Sequence, residues 1–136
     1  MKIAICSSMK FIEEMGDARE KLKRDGHEVV LPHNTESYIS GELDPAQEET
    51  VKNKIENDLF KHYYEVIDES DAILVLNYDK NGIENYIGGN TLIEMSFAHI
   101  LDKKIYLLKP IPDMRYSDEI EAMQPEILHG DLNKID

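Results

Sequence analysis

Short apolar runs alternate with amphipathic stretches along the whole chain, in the order β-α-β-α-β-α-β-α-β. This alternation constrains the fold more than any other feature. A strand that crosses over through a helix re-enters its sheet in the same direction, so the repeat implies a parallel sheet covered by helices. Lys2 to Cys6, apolar and rich in β-branched residues, reads as the first strand. Phe11, Met15, Ala18 and Leu22 then recur at intervals of four, three and four, on one helical face. Asp25-Gly26 stops that helix, since glycine accepts the left-handed conformation of a C-cap. His27 to Leu31 is the second strand, ended by Pro32.

From Pro32 to Leu43 the chain is polar and reads as a loop. Asp44-Pro45 opens a helix with an N-cap, a first-turn proline and Gln47 three residues after the cap. Val51, Ile55, Leu59, Tyr63 and Val66 mark its buried stripe, which runs to about Glu69. Asp71 to Asn77 is almost continuously apolar, as a central strand covered on both faces should be. Tyr78 to Gly89 is a glycine-containing loop, longer than most strand-to-helix connections. It leads into a helix from Asn90 to Leu101, packing through Ile93, Phe97, Ile100 and Leu101. Lys104 to Leu108 is the fourth strand. Lys109 to Tyr116 holds two prolines, which makes it irregular and a second candidate lid. Ser117 caps a short helix through Met123, and Pro125 to His129 offers a fifth strand. The expectation is one α/β domain over residues 1–136, doubly wound and flavodoxin- or Rossmann-like. Its sheet would be five-stranded and parallel, in the order 2-1-3-4-5.

Bulk properties narrow the partners. Hydrophobic residues at 41% and charged residues at 32% of 136 suit a folded domain with its own core. No apolar run approaches the roughly 20 residues that span a bilayer. The opening strand passes straight into a charged helix, unlike a signal peptide. Cys6 is the single cysteine, so an internal disulfide and a cysteine-based zinc cluster are excluded. The five histidines are scattered without ligand spacing, so neither a metal nor a cofactor is expected, and a cytoplasmic location follows by default. A net charge of -13 repels a nucleic acid backbone. A small anion is not excluded, because backbone N–H groups at a helix start can hold one phosphate.

In open α/β sheets ligands bind beyond the carboxyl ends of the strands, where strand order reverses. For the order 2-1-3-4-5 this point lies between the first and third strands, placing Cys6 to Met9 and Asn77 to Asn90 around it. Within that region Gly88-Gly89-Asn90-Thr91-Leu92-Ile93-Glu94 stands out. The glycines let the backbone approach a ligand, and the helix they open presents N–H groups and a positive dipole end. Glu94, expected in the first turn beside apolar Ala98 and Leu101, has the setting of a nucleophilic carboxylate. Thr91-x-x-Glu94 also reads as a capping box, in which the glutamate only satisfies its own helix start. Ser7 and Ser8, at the end of the first strand, are candidates for a 5′-phosphate or a ribose hydroxyl, with Ser8 equally readable as an N-cap. Tyr78, Tyr86 and Tyr116 are candidates for stacking on a base. Cys6 reads as a small buried hydrophobe in preference to a catalytic thiol.

The opening Met1-Lys2-Ile3 strand, the Gly26-His27-Glu28-Val29 run closing on Pro32, the Asp71-Ala72-Ile73-Leu74-Val75-Leu76 strand and the Glu94-Met95-Ser96-Phe97-Ala98 helix form a pattern. It resembles the nucleoside 2-deoxyribosyltransferase-like superfamily, which includes deoxynucleoside 5′-monophosphate N-glycosidases, over about Met1 to Leu108. The resemblance implies that Glu94 is the nucleophile of a retaining cleavage or transfer at an N-glycosidic bond. The substrate would be a small-molecule nucleoside or nucleotide, no metal would be needed, and the protein would form a homo-oligomer, with the Asp44 to Glu69 helix as a candidate interface. Three positions depart from the family pattern. Gly88 stands where transferases carry a base-contacting aspartate, Asn90 where they carry a glycine, and Cys6-Ser7-Ser8 where the first strand usually ends in a small apolar-glycine turn. For the family acid near the third strand the counterparts are Asn77 or Asp79, with Glu84 and Asp113 as further loop carboxylates. The site residues expected are therefore Glu94 and Asp79 for chemistry, and Ser7, Ser8, Asn77, Gly88, Gly89 and Asn90 for binding. The alternative is a sensor that binds nucleotides in the same pocket without turnover.

Overall fold

The computed structural model describes residues 1–32, 35 and 58–136. Its strands are β1 (Lys2–Ser7), β2 (Glu28–Val30), β3 (Ala72–Leu76), β4 (Lys104–Leu107) and β5 (Glu126–Ile127). They form one five-stranded sheet in the order β2-β1-β3-β4-β5, with every pairing parallel. The helices are α1 (Ile12–Arg24), α2 (Leu59–Asp68), α3 (Gly89–Ile100) and α4 (Ser117–Ala122). The α/β architecture and the strand order are those that the alternation of apolar runs implies.

Successive strand side chains face opposite ways, and this splits the core into two layers. Ile3, Ile5, Leu74, Leu76 and Tyr106 pack with Met15, Ala18 and Leu22 of α1 on one face. Ala4, Cys6, Ile73, Val75, Ile105 and Leu107 pack with Tyr63 and Ile67 of α2, Met95 and Ala98 of α3 and Ile120 of α4 on the other. All of β3 is buried, as a continuous apolar run predicts. Asp71, just ahead of it, accepts the Lys2 N–H at 2.7 Å and ties β3 to the start of β1.

Several expected boundaries move. The polar loop read from Pro32 to Leu43 lies, apart from Pro32 and Thr35, outside the described residues. So does the 44–57 part of the helix read from Asp44 to Glu69. Within the described residues that helix runs from Leu59 to Asp68. Asp58 is left-handed (φ 43°, ψ 57°), a conformation foreign to the interior of a right-handed helix, and its carboxylate accepts the Lys61 N–H at 3.3 Å. It caps α2, which begins at Leu59 and whose buried residues are Tyr63 and Ile67. Ser117 is likewise the first residue of α4 and not its cap. Its Oγ accepts the Met114 N–H at 2.7 Å and bonds to the Pro112 carbonyl at 2.6 Å, fastening the proline-containing loop. Among the described residues no helix is long and apolar enough to cross a membrane.

β1 has β2 on one side and β3 on the other, so strand order reverses at its carboxyl end. α2 and α3 pack side by side over that end, with Tyr64 and Phe97 edge to face at 5.3 Å.

Candidate active site

A cleft of about 370 Å³ opens at this reversal point, within the size range of small-molecule sites. The end of β1 supplies Ser7, Ser8 and Met9, and the exit of β2 supplies Pro32. One side is made by Leu59, Phe60, His62 and Tyr63 of α2. The opposite side comes from the β3–α3 connection, through Lys80, Tyr86, Gly88 and Gly89, and from Asn90, Thr91 and Glu94 of α3. The structure thus brings together Ser7, Ser8, Gly88, Gly89, Asn90 and Glu94 of the residues expected.

The position of Glu94 differs from expectation in an informative way. α3 starts at Gly89 with Gly88 as N-cap, a residue with no side chain to cap it. Thr91 is therefore inside the helix and buried, and Glu94 is the sixth helical residue, in the second turn. The capping-box reading needs Thr91 outside the helix, so it fails. Helical side chains lean toward the N-terminus, which carries the half-buried Glu94 carboxyl back along the turn that opens the helix. The first hydrogen bond of the helix runs from Leu92 N–H to the Gly88 carbonyl at 2.9 Å. The amides ahead of it belong to the end of a helix that favours negative charge.

Beneath Glu94 the floor is apolar and closed. Cys6 is fully buried, and burial, then the Glu94 carboxylate, push its thiol well above the ordinary value of 9.0. That is opposite to what a reactive thiolate needs. Tyr63 donates its hydroxyl proton to the Ile5 carbonyl. Burial first, then Cys6 and Glu94, raise it well above 10.0. Both groups hold their protons more tightly folded than unfolded. The stability they protect is present below about pH 9 and is lost as pH rises, because the unfolded chain ionises first. Urea unfolding should show the midpoint falling above pH 9, and Cys6→Ala should flatten the first part of that fall. An unchanged slope in the variant would mean other groups set the alkaline limit.

No protein-family model and no curated protein matches this chain. The site is therefore read from its own residues.

Two expected site residues lie elsewhere, and the reason is local geometry. Asn77 is wholly buried, and its side chain is spent on backbone: Oδ1 accepts Lys109 N–H at 2.8 Å, while Nδ2 donates to the Pro110 and Lys109 carbonyls at 3.0 and 3.1 Å. It is a staple between the ends of β3 and β4 and not a ligand. Asp79 is exposed, accepts the Asn85 N–H at 3.0 Å, and lines a separate recess with Tyr78, Glu84 and Lys109. Neither Asp79, Glu84 nor Asp113 is part of the cleft wall. Of the three tyrosines, Tyr86 lines the cleft. Tyr78 packs edge-on against Phe11 at 5.4 Å, and Tyr116 donates to the Ile87 carbonyl, so both serve packing. The loop 109–116 does not line the cleft.

Lys80 and His62 also line the cleft and were not among the residues expected. Lys80 had a usable signal: it precedes Asn81-Gly82, the strongest short hairpin signature. Asn81 (φ 54°) and Gly82 (φ 74°) are both left-handed, and Lys80 and Ile83 exchange two backbone hydrogen bonds at 3.0 and 2.9 Å. His62 had none, because its place depends on where α2 starts.

Proposed function

We propose that the cleft cleaves or transfers at the N-glycosidic bond of a deoxynucleoside or its 5′-monophosphate, with Glu94 as nucleophile. One observation carries this reading: a half-buried carboxyl group in the wall of an open cleft, released from the capping role that its sequence context offered. The resemblance of the Glu94-Met95-Ser96-Phe97-Ala98 helix to the deoxyribosyltransferase pattern supports it. In the first step a Glu94 oxygen bonds the anomeric carbon as the C–N bond breaks, and the base leaves with the bonding pair. In the second, water or another base attacks the same carbon, and the Glu94 oxygen leaves as carboxylate.

The departing base needs a proton. Among the described residues lining the cleft, the imidazole of His62 is the group suited to deliver it, since the Tyr63 hydroxyl is committed to Ile5 and held protonated. His62→Gln should slow release of an ordinary purine about 100-fold. It should hardly affect an N7-methylated purine, which leaves without a proton. Equal effects on the two substrates would remove His62 from this role.

The main test is incubation with a panel of deoxynucleosides and deoxynucleoside monophosphates, with chromatography for free base. A second reading, nucleotide binding without turnover, draws on the fact that Glu94 is the only carboxyl group among the described residues lining the cleft. Calorimetric binding with no base released would select it.

A further inference from the structure

We propose that Asn81 is a site of self-modification. The Gly82 nitrogen closes on the Asn81 carboxamide, and the isoaspartate that results undoes the turn that sets Lys80 in the cleft wall. Nothing in this chemistry depends on the N-glycosidic reading.

Asparagine is thermolabile, and Asn81 is the one asparagine in the sequence that a glycine follows. Glycine has no side chain to hinder an approach to its backbone nitrogen. The surroundings favour the same reaction. Asn81 and Gly82 are both exposed. The two backbone bonds of the turn use the N–H groups of Lys80 and Ile83, so that of Gly82 stands outside them. The other asparagines of the described residues are placed differently. Asn77 is wholly buried, with its amide donated to the Lys109 and Pro110 carbonyls. Asn85 is tied to Asp79 through its N–H and followed by Tyr86. Asn90 and Asn133 lie in helical turns, ahead of Thr91 and Lys134. In the related pair Asp25-Gly26, the glycine N–H is bonded to the Lys23 carbonyl at 3.0 Å.

The Gly82 nitrogen gives its proton to solvent and bonds to Asn81 Cγ, closing a succinimide ring as the carboxamide nitrogen leaves as ammonia. Water then opens the ring at either carbonyl. One opening leaves aspartate at position 81 in an ordinary main chain. The other routes the main chain through Cβ and Cγ and leaves isoaspartate. Nitrogen and carboxamide must first meet, which requires the turn to open. Two backbone bonds close it, at 3.0 and 2.9 Å, and both central residues are exposed, so this opening disturbs little buried structure. The consequence is larger than the cause. Asn81 (φ 54°) and Gly82 (φ 74°) form a two-residue turn, whose length fixes the register of its flanks. Isoaspartate adds a methylene to that main chain and breaks the match of Lys80 with Ile83. Either product also places a carboxylate next to Lys80, which lines the cleft and donates to Ser8 Oγ at 2.9 Å. Water is the only reagent needed to remodel this wall.

The test is peptide mapping by mass spectrometry of the full chain, kept folded for days in warm, mildly alkaline buffer, beside a sample kept unfolded in urea. In the folded sample residue 81 should gain the mass that separates an acid from an amide, as a mixture of aspartate and isoaspartate. Asn77, Asn85, Asn90 and Asn133 should stay unchanged. Asn81→Gln keeps an amide but disfavours the ring, and should lose the conversion. Hydrogen exchange on the separated products should show the Lys80 and Ile83 amides protected in the aspartate form and unprotected in the isoaspartate form. Conversion confined to the unfolded sample, or spread evenly over the asparagines, would overturn the site. Equal protection in the two products would overturn its effect on the turn.

Discussion

On the proposed N-glycosidic reading, Glu94→Gln should lower base release from deoxynucleosides and their 5′-monophosphates by on the order of 1,000-fold or more, with the fold intact. The amide matches the carboxylate in shape but cannot form the glycosyl ester, so only the covalent step is lost. The expectation that the protein stays folded has a structural basis. The buried residues of α3 are Thr91, Met95 and Ala98, and Glu94 neither caps the helix nor belongs to that group. A surface-edge substitution of this kind shifts stability by less than about 1 kcal/mol. Chromatography of released base, paired with a melting curve, checks both parts. Undiminished release in the variant would mean that another group attacks the sugar. A large fall in melting temperature would restore a structural role to the carboxyl group.

The legible and illegible parts of this molecule divide along the range of the interactions. Strand order follows from the alternation of apolar runs, because each crossover of Leu22 or Met95 type must bury its face on the same sheet. The reversal point, and with it Ser7, Ser8 and the Gly88 to Glu94 segment, follows from that order. What composition and spacing did not reveal were single backbone torsions. Asp58 adopts a left-handed conformation that sets where α2 begins, and so decides which α2 residues face the cleft. The start of α3 at Gly89 moves Glu94 by a turn and separates it from Thr91. Asn77 and Asp79, two residues apart at a strand end, face different surroundings that depend on where 109–110 returns. Such choices cost or gain only a few kcal/mol, too little to imprint a periodic pattern on the sequence.

Asn77→Ala should destabilise the protein by about 3 kcal/mol. The side chain is wholly buried and bridges three segments, bonding to Lys109 and Pro110 after β4 and, at 3.4 Å, to the Asn85 carbonyl in the β3–α3 loop. Alanine leaves the Lys109 N–H and its neighbouring carbonyls without a partner and too enclosed for water to replace all of it. Urea unfolding should show a lower midpoint with an unchanged slope. Asn77→Asp separates the polar account from mere loss of volume. A carboxylate keeps the acceptor for Lys109 N–H but turns negative charge toward carbonyl oxygens, whereas a protonated acid can donate to one of them. Burial raises the folded pKa of that acid, so its stability is present at low pH and lost as pH rises through the raised value. If Asn77 were instead a ligand group, either variant would abolish binding in protein that remains folded. Because it holds loop to strand and does not line the cleft, folded variant measured well below its melting temperature should bind deoxynucleotide within a few-fold of wild type.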